Sequence, residues 1–313
     1  MTRTLRRGLF LAGVLSLALW SGCKCGQAGG TPTASPTAEK SSGEDDVHPV
    51  YSTQAGAPSP LAQRLCEAVQ GTAARRRAAC CQGSANTLLA AECVRMLSAA
   101  LASGAVKVEP SGVEACAQAM ERAYQGCEWV GPQAPAMPTA CLGLLHGTLA
   151  AGARCRSSLE CSEGLNCHGV GPTDTGVCGA PSGAGQLCAL SVDALATYTR
   201  QDTLEEAHPE CQGHCAKRQC ADPVALGGAC VFEAQCAPGL HCAAGKCAEG
   251  ELAGLGQPCV NGGCGEGARC IQGTCAAPKT AGAACEFDGE CLGGCLRADG
   301  GHGGSCGPRC DAL

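Results

Sequence analysis

Cysteine is the residue type in this chain that occurs often enough, and at regular enough spacing, to carry chemistry. The chain has 30 cysteines among 313 residues. Metal binding and disulfide bonding compete for such thiols, and zinc sites usually contain Cys-x-x-Cys pairs. No such pair occurs, and the segment that most resembles a metal site runs from Cys211 through His214 to Cys215. We therefore predict disulfides throughout, with no metal and no other cofactor.

A formal hydrolase motif, Gly-x-Ser-x-Gly, spans residues 303–307. In hydrolases this motif acts on a sharp turn between a strand and a helix of a large α/β sheet. Here it lies in a glycine-rich, cysteine-rich segment, and we interpret it as a chance match. The 7 histidines are scattered along the chain without a recurring carboxylate neighbour. The sequence therefore predicts no catalytic residue and no enzymatic activity.

Large apolar side chains are scarce, since aromatic residues make up only 3% of the chain. Aromatic and branched aliphatic side chains stabilise an ordinary core, so a chain this rich in Cys and Gly is expected to depend on crosslinks. Disulfides persist in oxidising compartments, which predicts export. Residues 151–313 carry 10 Lys and Arg against 18 Asp and Glu, and this acidic balance argues against a nucleic-acid partner.

The amino terminus has the organisation of a bacterial export signal. A basic start precedes an apolar run of 12 residues from Leu9 to Trp20, which is too short to span a bilayer. The run leads into Ser-Gly-Cys23, which resembles a lipobox with Trp20 where that motif normally has an aliphatic residue. We predict a lipoprotein-type signal peptide over 1–22 and lipidation of Cys23. Ordinary cleavage after Ala28 is the alternative.

Composition divides the rest of the chain into three parts. Residues 23–58 are polar and are predicted to form a disordered tether. Residues 59–150 show helical periodicity, and residues 151–313 contain about five tandem cysteine-rich repeats. The predicted fold class is therefore small and disulfide-rich: a helical, cysteine-stapled bundle followed by tandem β-ribbon repeats.

Short motifs at helix ends predict where the helices of the bundle begin and end. One helix is predicted to begin at Ser59-Pro60, a second to run from about Thr87 to Ser103 before Gly104, and a third to begin with a capping box at Ser111. A fourth, short helix is predicted over 139–149. The run Arg75-Arg76-Arg77 is interpreted as a solvated helix face.

Cysteine parity predicts a link between the two parts. Without Cys23 and Cys25 the chain has 28 cysteines, 7 in the bundle and 21 in the repeats. If all are oxidised, at least one bridge must join the parts, and Cys141 with Cys155 is the pair we predict from proximity in sequence. The neighbours Cys80 and Cys81 are expected to bond to different partners, because a ring between them would be strained.

One pattern recurs from Gly152 to Cys310: Gly, two residues, Cys, and then three further cysteines. Glycines at fixed offsets predict tight turns with positive φ. Each copy is predicted to be a small β-ribbon with two bridges of unknown pairing, which supply about 4–8 kcal/mol, comparable with the net stability of a small domain. In the three most regular copies the cysteines predicted to form bridges are Cys155, Cys161, Cys167, Cys178, Cys230, Cys236, Cys242, Cys247, Cys259, Cys264, Cys270 and Cys275.

The second copy carries an insertion, 189–210, between its first two cysteines. Loops carried by a rigid scaffold often hold the residues that decide specificity. We predict a recognition loop here, with Tyr198 and Arg200 as contact residues and a helical stretch over 202–207.

The order Gly-x-x-Cys, five residues, Cys, x-x-Gly-Leu-x-Cys, Cys resembles the Dickkopf amino-terminal cysteine-rich module. It also resembles repeats of uncharacterised bacterial cysteine-rich secreted proteins and lipoproteins. The resemblance covers about 155–310 through cysteines and glycines alone, and each copy has fewer cysteines than the animal module. It implies a crosslinked architecture. Wnt antagonism, the activity of the animal family, is not carried over, because a chain with a bacterial lipobox has no such target.

The resulting hypothesis is a surface-tethered, cysteine-rich binding or structural lipoprotein without catalytic activity. Its expected partners are the membrane, through the lipid anchor, and a protein or a surface glycan. Its expected location is the bacterial cell envelope, as an outer-membrane lipoprotein or at the cell surface, with secretion as the alternative. A second hypothesis is a secreted protease inhibitor that uses the 189–210 loop, with Arg200 as the primary contact for a trypsin-like enzyme.

Overall fold

The computed structural model of the chain describes residues 49–52, 56–132, 135–188, 193–200, 210–232, 235–243, 245–250, 252–259, 264–265, 267–297 and 303–311. These residues belong to one compact unit. The predicted signal peptide, Cys23 and most of the predicted tether lie outside them. Among the described residues, no helix has the length and apolar character needed to cross a bilayer.

The bundle begins where the sequence predicts, with Pro60 in the first turn of a helix. The predicted C-cap Gly104 follows the third helix and has φ 71°. The helices are α1 (Pro60–Cys66), which continues through a π-turn (Glu67–Gly71) into α2 (Thr72–Cys81), then α3 (Leu88–Ala102) and α4 (Pro110–Ala123). Their buried faces share one core in which Leu65, Leu97 and Met120 are fully enclosed.

The predicted capping box of α4 is wrong. The N-cap residue is Glu109 and makes no side-chain cap, and Pro110 starts the helix. The two residues of the predicted box have other partners: Ser111 donates to the Glu109 carboxylate, and Glu114 forms an ion pair of 2.8 Å with Arg64. Proline at the first helical position favours the start of the helix without a side-chain cap, because its φ is preset for a helix and its missing N–H would have no intrahelical partner.

The predicted fourth helix over 139–149 is also wrong. Only Thr139–Cys141 forms a single 3-10 turn, and β2 (Leu145–Gly147) pairs antiparallel with β1 (Val106–Val108). Cys141 is bonded to Cys116 of α4, and Gly143 has φ 65°, which ends helical geometry immediately after the turn.

All five repeats have the same disulfide pairing, first cysteine to third and second to fourth. In the third repeat, for example, Cys230 bonds to Cys242 and Cys236 to Cys247. The pairs in the other repeats are Cys155–Cys167 and Cys161–Cys178, Cys188–Cys215 and Cys211–Cys220, Cys259–Cys270 and Cys264–Cys275, and Cys285–Cys295 and Cys291–Cys306.

Every repeat contains the predicted β-ribbon, in which the third and fourth cysteines lie directly opposite each other. The first and last repeats add a third strand. The strands are β3 (Arg154–Cys155), β4 (Asn166–His168), β5 (Gly176–Gly179), β6 (His214–Ala216), β7 (Gln219–Ala221), β8 (His241–Ala243), β9 (Lys246–Ala248), β10 (Arg269–Ile271), β11 (Thr274–Ala276), β12 (Ala284–Cys285), β13 (Gly294–Leu296) and β14 (Gly304–Gly307). Short 3-10 turns precede the second cysteine at Ser158–Glu160 and Asp288–Glu290.

The glycine that opens each repeat has the positive φ that the sequence predicts. At Gly256 φ is 80°, and its N–H donates to the carbonyl of the fourth cysteine, Cys275, at 2.7 Å. The Cys275 N–H donates in return to the Gln257 carbonyl at 2.9 Å. The same two hydrogen bonds occur in all five repeats. The turn therefore fixes the first cysteine against the ribbon that carries its partner.

One disulfide joins the bundle to the repeats, but it is not the predicted one. Cys81, at the end of α2, bonds to Cys310 across 229 residues of sequence. The predicted pair of Cys141 and Cys155 was wrong because each has a closer partner, Cys116 and Cys167 respectively. The expectation that Cys80 and Cys81 bond to different residues is confirmed, since Cys80 bonds to Cys127.

The carboxyl-terminal end of the predicted tether packs against the bundle and the first repeat. Tyr51 is 1% exposed, and its hydroxyl donates to the Glu160 carboxylate at 3.1 Å. The Arg156 guanidinium lies 4.6 Å from the Tyr51 ring centre and also binds Glu160. The prediction that nothing before residue 58 packs is therefore wrong at Tyr51, whose ring is large enough to fill a site between two elements.

An acid or amide directly before the second cysteine is a repeat feature that we did not predict from the sequence; the three acids are buried and Gln235 is half-buried. Glu160 accepts from the Arg156 N–H at 2.7 Å, and Gln235 accepts from the Val231 N–H at 2.6 Å, so each closes the loop between the first two cysteines. Glu210 and Glu290 occupy the same position and are also buried. The signal in the sequence was Glu-Cys or Gln-Cys in four of the five copies.

Replacing Gly256 with Ala is expected to destabilise the fourth repeat by about 1 kcal/mol, because the left-handed backbone region disfavours a Cβ. Space is not the obstacle, since an added Cβ would contact nothing within 4 Å. Gly254→Ala is the matched control, with equal space and no positive φ. Denaturant unfolding of both variants measures the difference, and equal stability would contradict the turn geometry.

Stability is expected to fall as the pH rises above about 10, the ordinary pKa of a phenol, because the pKa of Tyr51 is raised in the folded state. Burial is the main cause, followed by the negative charge of Glu160. Above that pH the unfolded chain ionises Tyr51 while the folded chain does not, which costs about 1.4 kcal/mol per pH unit. Rapid unfolding measurements in alkali should show this slope in the wild type and in Tyr198→Phe, but a reduced slope in Tyr51→Phe. An unchanged slope in Tyr51→Phe would contradict the prediction.

Candidate functional site

The residues predicted to recognise a partner lie against the bundle. Within the 189–210 insertion, α5 (Ala194–Thr199) is described, and Asp193 caps it by accepting from the Ala196 N–H at 3.1 Å. Leu195 of this helix is fully buried in the bundle core. The predicted helical stretch over 202–207 lies outside the described residues.

Asp193 is itself buried by this docking. Its second carboxylate oxygen accepts from the Ser157 hydroxyl at 2.9 Å and from the Ser158 N–H at 2.7 Å. Burial raises its pKa, and these hydrogen bonds oppose the rise. Asp193 therefore joins the start of α5 to the first repeat, and this contact fixes the position of the helix whose other end carries Arg200.

Tyr198 and Arg200 extend the contact to α1 and the π-turn. The Gln70 side chain donates to the Tyr198 carbonyl at 2.7 Å, and the Arg200 guanidinium donates to the Val69 carbonyl at 3.3 Å. An inhibitory loop has to expose the side chain that enters the protease, whereas Arg200 is half-buried. The inhibitor hypothesis stays a prediction that these contacts do not favour.

Arg200 lines a cleft of about 540 Å³ between α2, α5 and the carboxyl-terminal segment. We call it the arginine cleft. Its lining includes Gln70, Arg77, Leu89, Trp129, Arg200 and the Cys81–Cys310 bridge.

An aromatic pair forms the floor of the arginine cleft. Trp129 and Tyr124 meet edge to face, with ring centres 4.6 Å apart, and both are almost fully buried. The Trp129 indole N–H donates to the Tyr124 carbonyl at 3.2 Å, so its orientation is fixed. Arg77 lies 5.9 Å from the Trp129 ring centre and donates to the Gly131 carbonyl at 3.1 Å.

The arginine run 75–77 divides between two environments. Arg75 and Arg76 are on the exposed side of α2 and bind Glu121, at 3.3 Å and 2.6 Å. The positions of Arg75 and Arg76 agree with the prediction of a solvated helix face. Arg77 instead faces Trp129, so the prediction fails for the third arginine. Helical geometry separates neighbours by about 100°, but local spacing carries no information about the position of Trp129, which follows Arg77 by 52 residues.

Two of the described residues that line the arginine cleft are positively charged, whereas the chain as a whole is acidic. The chain has a net charge of −6. The described residues that line the cleft include Arg77 and Arg200 but no Asp or Glu. Positive charges in a cleft raise the local concentration of anionic ligands. The cleft is therefore suited to a negatively charged group.

The metal-like segment at residues 211–215 is divided between two bridges. Cys211 bonds to Cys220 and Cys215 to Cys188. Triplets of cysteine sulfurs lie close together in every repeat, for example at Cys155, Cys161 and Cys178. Each of these sulfurs is in a disulfide, and metals bind the thiolate form. As folded here, the clusters are crosslinks.

Residues 304–307 of the hydrolase-like segment form β14, which pairs with strands on both sides. Ser305 therefore lies within an antiparallel sheet and not on a turn into a helix. This is not the local geometry that activates the serine of that motif.

Comparison of the chain with protein-family models, curated proteins and solved structures found no match. The resemblance of the repeats to the Dickkopf module therefore stays a prediction.

Removing the Cys81–Cys310 bridge is expected to open the arginine cleft. The bridge holds the carboxyl-terminal segment beside α2, with support from the Arg309 N–H, which donates to the Val130 carbonyl at 2.7 Å. In a Trp20→Phe background, Trp129 is the only tryptophan. The double variant Cys81→Ser/Cys310→Ser should lose about 2–4 kcal/mol of stability, and acrylamide should quench Trp129 more strongly.

The matched control for this experiment is Cys259→Ser/Cys270→Ser, which removes a bridge of the fourth repeat. It should leave quenching of Trp129 unchanged. Equal quenching in the two double variants would show that the bridge does not shape the cleft.

Proposed function

We propose that this chain is a non-catalytic binding lipoprotein of the bacterial cell envelope. It is attached to the membrane through lipid on Cys23, and it presents rigid surfaces to a partner that is a protein or a surface glycan. The observation that carries the proposal is the disulfide framework, in which 14 bridges join all the cysteines of the described residues.

Rigidity favours a binding role because of its effect on entropy. A loop that is already ordered loses little conformational freedom when it meets a partner. The repeats also expose large apolar side chains: Leu187 is 78% exposed and Val231 86%. Leu226 and Leu255 are exposed at the same position of two repeats, directly before the turn glycine. Single exposed apolar residues are common on proteins, but their fixed position on a crosslinked repeat gives a partner a regular surface.

Attachment through Cys23 follows from the lipobox-like sequence and from the spacing. Residues 24–48 separate Cys23 from the first described residue, Pro49. We propose that this stretch is the spacer between the lipid on Cys23 and the disulfide-linked unit.

The test uses the full chain, produced in a bacterium that processes lipoproteins. The wild type is expected to partition into the detergent phase of a Triton X-114 extract, and its amino-terminal peptide should carry the mass of acyl chains on Cys23. Cys23→Ala should move the protein to the aqueous phase. Cys25→Ala is the matched control and should partition as the wild type does. An unmodified chain that starts at Gly29 would contradict the anchor and support secretion.

A further inference from the structure

We propose that the arginine cleft is a binding site for a small organic anion that has an apolar body. This inference deepens the binding function proposed above and rests on it. The ligand class is an amphiphilic carboxylate or phosphate ester, with the negative group beside Arg77 and Arg200 and the apolar part along the alanine and leucine wall.

The size of the cleft is the first reason. Sites for small molecules are usually concavities of about 300–1,000 Å³, and the arginine cleft measures about 540 Å³. It is large enough for a ligand with one or two rings, or a short acyl chain, but not for a folded partner. The repeat surface and the arginine cleft would therefore serve ligands of different size.

The charged groups are the second reason. A guanidinium group binds a carboxylate or a phosphate through two parallel hydrogen bonds, and its planar face also packs on aromatic rings. Arg77 meets the Trp129 ring, while Arg200 is held through its hydrogen bond to Val69. Both arginines are half-buried, where water and salt screen charge less than at an open surface. Two such groups in one cleft favour an anion over a neutral ligand of the same shape.

The apolar wall is the third reason. Small side chains of α2 (Ala73, Ala74 and Ala78) line one side of the cleft, and Leu89 of α3 completes the wall. Leu89 is 50% exposed, although it lies beside a buried core. A ligand that covers it would gain about 25 cal/mol for each Å² of apolar surface removed from water. An inorganic anion would leave this wall exposed, so an organic anion fits the cleft better.

Preorganisation is the fourth reason. The arginine cleft is assembled from segments that are distant in sequence, and each is fixed independently of any ligand. Gln70 joins α5 to the π-turn, and the Cys81–Cys310 bridge fixes the carboxyl-terminal segment at the edge. Arg200 itself has φ 55°, an uncommon backbone conformation for a residue other than glycine. A ligand would therefore meet an arrangement that needs little reorganisation.

The experiment uses two fluorescent probes that differ only in charge. 8-Anilinonaphthalene-1-sulfonate carries a negative sulfonate, and N-phenyl-1-naphthylamine has the same rings without it. In the full-length Trp20→Phe protein, energy transfer from Trp129 to the bound probe reports binding near this residue, and the arginine variants assign it to the arginine cleft. The anionic probe is expected to bind at a single site, at least tenfold more tightly than the neutral probe.

Charge variants locate the effect. Arg200→Gln is expected to weaken binding of the anionic probe about tenfold, the loss that follows when one charged hydrogen-bonding partner is removed. Arg200→Lys should retain most of the affinity. Binding of the neutral probe should stay the same in both. Arg76→Gln is the matched control: it removes the same charge from the residue next to Arg77, on the other side of α2, and should change nothing.

Salt gives a test that needs no variant. Raising the ionic strength to about 1 M shortens the Debye length to about 3 Å, so affinity for the anionic probe should fall and that for the neutral probe should not. Equal affinity for the two probes, no energy transfer from Trp129, or unchanged binding in Arg200→Gln would each overturn the inference. None of these results depends on Cys23, so a negative result would not contradict the proposed lipid-anchored binding function. Failure of the anchor would in turn leave the probe titrations unaffected.

Discussion

The disulfide pairing of the repeats is the constraint on which the rest of the structure depends. In the last repeat the buried apolar cluster consists of four half-cystines, Cys285, Cys291, Cys295 and Cys306, with one alanine packed against it. Such a cluster is too small to offset the backbone entropy of the residues around it. Crosslinks reduce the entropy of the unfolded chain instead. The turn glycine of each repeat, together with Glu160 in the first repeat and Gln235 in the third, holds the backbone in the geometry that brings the sulfurs together. Stability therefore depends on covalent bonds and backbone hydrogen bonds, and the side chains of the repeats are left available for the surface.

The bundle, in contrast to the repeats, is stabilised mainly by burial of apolar side chains. It has an apolar core, and the start of the described chain and part of the repeats complete it, since Tyr51, Leu159 and Leu195 all join that core. The predicted boundary between residues 150 and 151 is therefore crossed by packing as well as by the Cys81–Cys310 bridge. The arginine cleft follows from this arrangement, because α2, α5 and the carboxyl-terminal segment meet there. Arg77 and Arg200 line one cleft only when all three are in place.

Several features that depend on neighbours in sequence were predictable, although the capping box at Ser111 and the helix over 139–149 were predicted wrongly, while the features that depend on distant contacts were not predictable. The turn glycines, the start of α1 and the separate partners of Cys80 and Cys81 follow from local geometry. Parity required a bridge between bundle and repeats, but Cys310 could not be identified as the partner of Cys81, because spacing carries no information about a contact across 229 residues. The sequence predicted Tyr51 to be part of a polar tether. The side chains that bury it, Glu160 and Arg156, are too distant in sequence for the contact to be predicted. The role of Arg200 as a contact residue stays a prediction, and the cleft that it lines together with Arg77 and Trp129 is assembled by tertiary structure alone.

The most direct test of this account is the disulfide map of the native protein, obtained by proteolysis without reduction followed by mass spectrometry. We expect every repeat to yield peptides linked through the first and third cysteines and through the second and fourth. We also expect the peptide that contains Cys81 to be linked to the one that contains Cys310. A different pairing within the repeats, or thiols that react with an alkylating reagent before reduction at any of these cysteines, would contradict the framework from which the fold, the cleft and the proposed function are derived.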